Sequence, residues 1–260
     1  MESDVWDVAR PGRAGPLSLG GFRHRTGGTV DLRVVPHPAI TVVLEFGDGK
    51  LLVDDGAQHG SFVAGLAPRG VRLRGESLEC VEVRLPPLAA AGVGAGPAEL
   101  DRTVGLTELW GRDAARLRDQ LSEAGSWDAR FALVEAAFAR RLSVVPATDP
   151  EVSLAWRRIV RSRGLVRVES LAAECGWSRR RLWDRFRAQV GLPPKRAAKL
   201  VRFDHAARRL ATGASAADVA AECGYTDQSH LHRDVVAFAG VTPGRLAADA
   251  GFAADRSAFA

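Results

Sequence analysis

The chain has 260 residues, 46% of them hydrophobic, with 36 Lys and Arg against 31 Asp and Glu, for a formal net charge of +5. That length allows about two domains, each with a modest core. Apolar runs fall short of the ~20 residues a membrane span needs, and an N-terminus carrying Glu2, Asp4 and Asp7 does not resemble a signal peptide, so a cytoplasmic protein is expected. Cys80, Cys175 and Cys223 are too few and too scattered for a disulfide framework and read as small buried thiols.

In chain order, residues 30–35, 40–46, 51–53, 71–74 and 78–85 alternate apolar and polar side chains between Gly, Pro or Asp-Gly breaks, the mark of short strands. Asp48-Gly49 between two apolar runs reads as a hairpin turn, because both residues tolerate positive φ. A meander forming a small antiparallel sandwich or barrel is expected. Gly92-Val93-Gly94-Ala95-Gly96 loosely matches a dinucleotide fingerprint, but Pro97 stands where the last glycine belongs, so a surface turn is expected there. Leu117 and Leu121, then Phe131, Val134, Phe138 and Leu142, recur at helical steps and predict helices over 113–124 and 127–142. Pro146 and Pro150 then break the pattern and mark a linker between a strand-rich region, 1–145, and a helical one, 150–260.

In the second region the pentapeptide Ala172-Ala173-Glu174-Cys175-Gly176 recurs letter for letter as Ala220-Ala221-Glu222-Cys223-Gly224, 48 residues later. Trp177 or Tyr225 follows each copy. After a one-residue insertion Leu182 matches Leu231, Phe186 matches Val235, Gly191 matches Gly240 and Pro194 matches Pro243. One structural unit therefore occurs twice. Each copy reads as a short helix, a turn at glycine and a longer helix, the logic of a helix-turn-helix. The predicted helices are 150–163, 167–175, 178–189, 194–212, 216–223, 227–239 and 243–249, with Ser178 and Asp227 as N-caps of the two long ones.

Charge follows the same division: residues 151–260 hold 19 Lys and Arg against 11 Asp and Glu, and residues 1–150 hold 17 against 20. A basic half with clustered Arg suits phosphate binding. Leu182 and Phe186 form the inward face of the first long helix, and Arg180, Asp184, Arg187 and the flanking Trp183 project outward. In the second unit Leu231, Val235 and Phe238 face inward, leaving Gln228, Ser229, His232 and Arg233 outward. Arg pairs twice with guanine, Gln with adenine, and Ser or His with several base edges, so these faces suit a major groove.

Residues 150–250 resemble the DNA-binding domain of AraC-type bacterial transcription regulators. Residues 171–178 with Leu182, Arg185 and Phe186 carry the likeness, as do Val219 to Tyr225 with Asp227, Ser229, Leu231 and Arg233, and then Gly240-Val241-Thr242-Pro243. The resemblance implies two helix-turn-helix units joined by one long helix, 194–212. It assigns base reading to Arg180, Trp183, Asp184, Gln228, Ser229, His232 and Arg233, and phosphate contacts to Arg179, Arg181 and Arg185. It also implies double-stranded DNA as partner, RNA polymerase as a second one, and an N-terminal cupin-like sensor whose helices pair two subunits in a homodimer and whose pocket takes a small-molecule effector. Two positions depart from the family pattern. Asp184 is acidic where a neutral or basic group is usual, and Val235-Val236-Ala237-Phe238 stands where an aromatic and a basic residue are more common.

No cofactor and no metal are expected. His24, His37 and His59 lack the close spacing of a cupin metal site, and His37, between Pro36 and Pro38, reads as a loop residue. His230 and His232 point about 200° apart on a helix and cannot share an ion. Cys80 has neither a basic neighbour nor a second Cys to activate it. The alternative is a cupin-like enzyme or ligand-binding protein with a DNA-binding appendage; the reading preferred here is a regulator and not an enzyme.

Overall fold

The structure is a computed structural model that describes residues 6–13, 15, 17–24, 29–47, 52–53, 57–58, 60–66, 70–96, 102–143, 147–249 and 257–259. Its strands are β1 (Trp6–Ala9), β2 (Ser18–His24), β3 (Thr29–Val34), β4 (Ile40–Glu45), β5 (Leu52–Val53), β6 (Ala57–Gln58), β7 (Phe62–Ala64), β8 (Val71–Glu76), β9 (Glu79–Leu85) and β10 (Thr103–Gly105). They form a six-stranded sheet, β1-β2-β9-β4-β7-β10, and a four-stranded one, β3-β8-β5-β6. The expected antiparallel sandwich is present. The expected meander is not, because β9 inserts between β2 and β4 and joins segments far apart in the chain. Asp48-Gly49 and His59 lie outside the described residues.

Period two assigns the two faces of the large sheet. Val81, Val83, Val42 and Leu44, all at most 2% exposed, join the core under the helices. Those helices are α1 (Leu106–Trp110), α2 (Arg112–Glu123) and α3 (Trp127–Leu142), which supply Leu121, Phe131, Val134 and Phe138. The opposite face packs Phe22, Val43 and Phe62 onto Val30 and Leu73 of the small sheet. Each large apolar side chain so covered contributes about 1.5–3 kcal/mol. Gly20 and Gly21 of β2 leave room for a ring on either face: a Cβ on Gly21 would lie 2.6 Å from the Trp127 ring, and one on Gly20 would lie 3.1 Å from the Phe259 ring.

The segment around Gly92 corrects the sequence reading. It belongs to a 3-10 helix, Pro87–Val93, closed by Gly94 in the left-handed region at φ 77. Val93 is fully buried, and its carbonyl accepts a 2.9 Å hydrogen bond from Trp110 Nε1. The small residues let the helix pack tightly, so it is an internal prop and not a surface turn.

The second region holds α4 (Pro150–Arg161), α5 (Val168–Glu174), α6 (Arg179–Val190), α7 (Pro194–Ala211), α8 (Ala216–Glu222), α9 (Gln228–Ala239) and α10 (Pro243–Ala247), each within two residues of its expected bounds. It docks on the sandwich through a few directed contacts. Gly70 N–H donates to the Phe238 carbonyl at 2.7 Å, and Arg33 Nη1 donates to the Ala239 carbonyl at 3.4 Å, both at the end of α9. The buried His37 meets Asp204 of α7 at 2.8 Å. Burial alone would raise the Asp204 carboxyl, but hydrogen bonding and charge from His37, with Arg208 beside it at 3.0 Å, outweigh it and bring its pKa down to about 2.

Candidate nucleic-acid interface

The sequence repeat is also a backbone repeat. Gly176 and Gly224 turn from the first to the second helix of each unit at φ 65 and 69, and Gly191 and Gly240 end the second helices at φ 87 and 69. Such values favour glycine, which has no Cβ to clash. The Ser178 hydroxyl accepts from Arg181 N–H at 3.2 Å, and Asp227 Oδ1 accepts from His230 N–H at 2.7 Å, so α6 and α9 start with equivalent caps. Glu174 and Glu222, also equivalent, are each held by two hydrogen bonds from an arginine, Arg158 at 2.8 and 3.0 Å and Arg209 at 2.9 and 3.0 Å.

Leu182, Phe186 and Val190 anchor α6 in the core, and Leu231, Val235 and Phe238 anchor α9. The residues singled out from sequence all lie on the outer faces. Arg180, Trp183 and Asp184 are exposed together on α6, beside Arg179, Arg181 and Arg185, and Gln228, Ser229, His232 and Arg233 are exposed together on α9. Trp183 is 42% exposed, an unusual position for a large ring, and the Arg187 guanidinium lies 5.2 Å from its centre.

The arginines differ in how they are held. Arg180 is 94% exposed and its Nε stands 3.9 Å from Asp184 Oδ2, too far for a hydrogen bond. Arg181 covers the Trp177 ring at 4.7 Å, and Arg179 makes a 3.4 Å contact with Glu169. Arg185 donates twice to Asp149, at 2.7 and 2.9 Å, an arrangement that holds the Asp149 carboxyl below its ordinary range. Two further arginines went unnoticed. Arg196 of α7 and Arg245 of α10 are exposed at equivalent places, two residues after Pro194 and Pro243. The in-phase repeat was the signal that pairs them.

The Cys80 thiol is buried and pushed well above its usual range by desolvation and by Glu82, Glu45 and Glu79. Cys223 is buried, but Cys175 is only partly so. Among the described residues no group of three or more His, Cys, Asp or Glu is placed to hold a metal, and no helix is long and apolar enough to cross a membrane.

Residues 171–249 match the model of a helix-turn-helix domain family. This part of the chain is an AraC-type helix-turn-helix domain. Through it the chain is a DNA-binding transcription regulator. The AraC-type domain is preceded by a strand-rich region, and the whole arrangement is similar in fold to ToxT from Vibrio cholerae. One ToxT crystal structure superposes with a TM-score of 0.51 at 12% identity, over 90% of this chain and 98% of its own. Another, bound to (E)-4-(8-methylnaphthalen-1-yl)but-3-enoic acid, does so with a TM-score of 0.51 at 11% identity, over 89% and 98%. The AraC-like transcriptional activator CuxR is 18% identical over 87% of this chain and 90% of its own, but its TM-score of 0.29 is too loose to bear on the fold. No curated protein matches the chain.

Proposed function

We propose that α6 and α9 enter successive major grooves and read two short blocks of sequence. Arg180, Trp183 and Asp184 meet the bases of one block, and Gln228, Ser229, His232 and Arg233 those of the other. Arg179 and Arg181, with Arg196 and Arg245, meet phosphates; Arg185 does so once released from Asp149. The observation that carries this reading is the equivalence of the two units, which share caps, glycine turns and buried stripes and leave both outer faces exposed. The 18 residues of α7 that join them span about 27 Å at ~1.5 Å each, commensurate with the ~34 Å between equivalent groove positions.

In this reading the chain divides at the linker into a sensor, 1–145, and a DNA-binding domain, 150–260. It works in the cytoplasm as a regulator and not as an enzyme, and it meets RNA polymerase at its promoters. The sensor takes a small effector, a role supported by the arylbutenoic acid in one ToxT structure. Homodimers form through α2 and α3, whose facing surfaces leave a groove lined by Ala129, Ala132, Leu133 and Ala136. Selection of bound fragments from random DNA by the intact protein tests the central point. Two conserved blocks about 10 base pairs apart are expected; recovery of unrelated sequences at physiological salt contradicts it.

A further inference from the structure

The inner face of the six-stranded sheet carries side chains that a purely structural sandwich has no need to bury. Arg84 and Glu82 of β9 stand there with exposures of 8% and 9%, joined at 2.8 Å, and Thr41 of β4 pairs with Arg84 in register and is 7% exposed. They are covered by the far end of the chain. The Arg84 guanidinium lies 3.8 Å from the centre of the Phe259 ring, well inside the ~6 Å reach of a cation–π contact. Phe22 flanks the same ring at 6.4 Å, and Ala258 is buried beside it. Gly20 makes the space: a Cβ there would lie 2.8 Å from the Ala258 Cβ and 3.1 Å from the Phe259 ring. The chain has therefore left the helix-turn-helix domain after α10 and returned to the sandwich.

We propose that the surface formed by Gly20, Phe22, Thr41 and Arg84 is a binding site for an aromatic ring, that the chain's own Phe259 is its resident occupant, and that a small aromatic effector takes the same place. The chemistry narrows the ligand class. A stacked guanidinium favours an electron-rich π face and disfavours a cation. Because Glu82 already neutralises Arg84, a carboxylate would have to break that pair to be accommodated. The Thr41 hydroxyl supplies one hydrogen-bonding group. The site thus fits an uncharged, electron-rich aromatic such as a phenol or an indole, a class different from the acid held by ToxT. Displacing Phe259 undocks residues 257–259, which follow the DNA-binding domain in the chain, from the sandwich, and so gives the effector a route to that domain. This deepens the sensor reading above and rests on it only for the consequence at DNA.

Trypsin cuts after arginine, and Arg256 precedes the docked segment, so release of that segment by cleavage between Arg256 and Ser257 of the intact protein, followed by mass spectrometry, reports docking without any DNA. Slow release is expected from the wild type. Phe259→Ala and Gly20→Ala should each speed release about tenfold or more, since one removes the ring and the other fills its seat. Saturating indole or phenol should speed the wild type to the same rate and leave Phe259→Ala unchanged, whereas benzoate should do neither. Equal release from wild type and Phe259→Ala overturns the docking, whatever the fate of Gly20→Ala. Fast release with benzoate, or no response to indole and phenol, overturns the ligand class. If indole or phenol releases the segment while DNA affinity stays constant, the site stands and the sensor reading falls.

Discussion

The two helix-turn-helix units share a backbone and differ in chemistry. The exposed helix of the first, α6, carries five arginines and one aspartate, whereas α9 carries one arginine, one aspartate and two histidines. The aromatic after each turn is used differently as well. Trp177 is stacked by Arg181 of its own reading helix, but Tyr225 meets His230 edge-on and is covered by Arg202 of α7 at 4.3 Å. Under the proposed reading both units read bases, but the first adds the stronger long-range attraction to phosphate, whereas the second reads with mostly neutral hydrogen-bonding groups. Val235-Val236-Ala237-Phe238 extends the contrast, because Val236 leaves 41% of its surface exposed where a basic group would hold a phosphate.

The strongest way to break this comparison is by salt. Replacing Arg179 and Arg181 together with Ala should lower the log-log salt slope of DNA binding by about 0.9 for each arginine that touches a phosphate, and should weaken every sequence. Binding titrations across a salt series check this; an unchanged slope would remove the first unit's assigned task. Gln228→Ala or Arg233→Ala should instead leave the slope nearly unchanged and cost about 1–3 kcal/mol of preference within one block. If base-by-base competition finds a uniform loss instead, the division of labour fails.

The helix shared by both units carries a pH dependence. The folded pKa of Asp204 is depressed to about 2 from 3.8, so its stabilisation is complete above about pH 4 and is lost as pH falls toward 2. Urea unfolding should therefore show Asp204→Asn less stable than wild type by about 2 kcal/mol at pH 5, with the gap narrowing to under about 1 kcal/mol at pH 2.5. A gap that persists at low pH would show that packing, and not the charge facing His37 and Arg208, anchors α7. The turn glycines sharpen the comparison further. A Cβ on Gly176 meets nothing within 4 Å, so Gly176→Ala should cost only the positive-φ strain, about 1 kcal/mol. Gly224→Ala should cost about the same, because the atom 2.5 Å from its Cβ is the free end of the half-exposed Leu165 side chain, which can move aside. A much lower unfolding midpoint for Gly224→Ala would contradict that equivalence. The smallest effect belongs to Asp184: as a base contact that also faces Arg180 at 3.9 Å, its replacement with Asn should change preference within the first block by about 1 kcal/mol or less. Unaltered preference in that block would remove Asp184 from the base contacts.

The helical half was legible because its signals are local. Caps, glycine turns and apolar steps all act within one or two turns of the chain, and the repeat supplied two readings of each. The sandwich was legible only in part. In β2 the pair Gly20-Gly21 removes the side chains by which a strand is recognised, and β7 and β10 are three residues each, too short to show alternation. Strand order was hidden for another reason: β9 could pair with any alternating segment, and its position is set by how whole faces are buried. The meeting of His37 with Asp204, 167 residues apart, and the seat of Phe259 on Arg84 leave no local trace. At the candidate interface the outward faces could be read from helical periodicity, but the engagement of Arg185 by Asp149 could not, because it depends on where the linker enters α4.

The account rests on two units gripping one side of a duplex at a fixed separation. Inserting five base pairs between the two blocks of a selected operator turns them about half a turn apart. Quantitative footprinting with the intact protein should then show one block protected and the other lost, with affinity reduced at least about 100-fold, and a ten-base-pair insertion should still leave the second block unprotected because α7 cannot lengthen. Unchanged affinity and full protection of both blocks after the five-base-pair insertion would contradict the account.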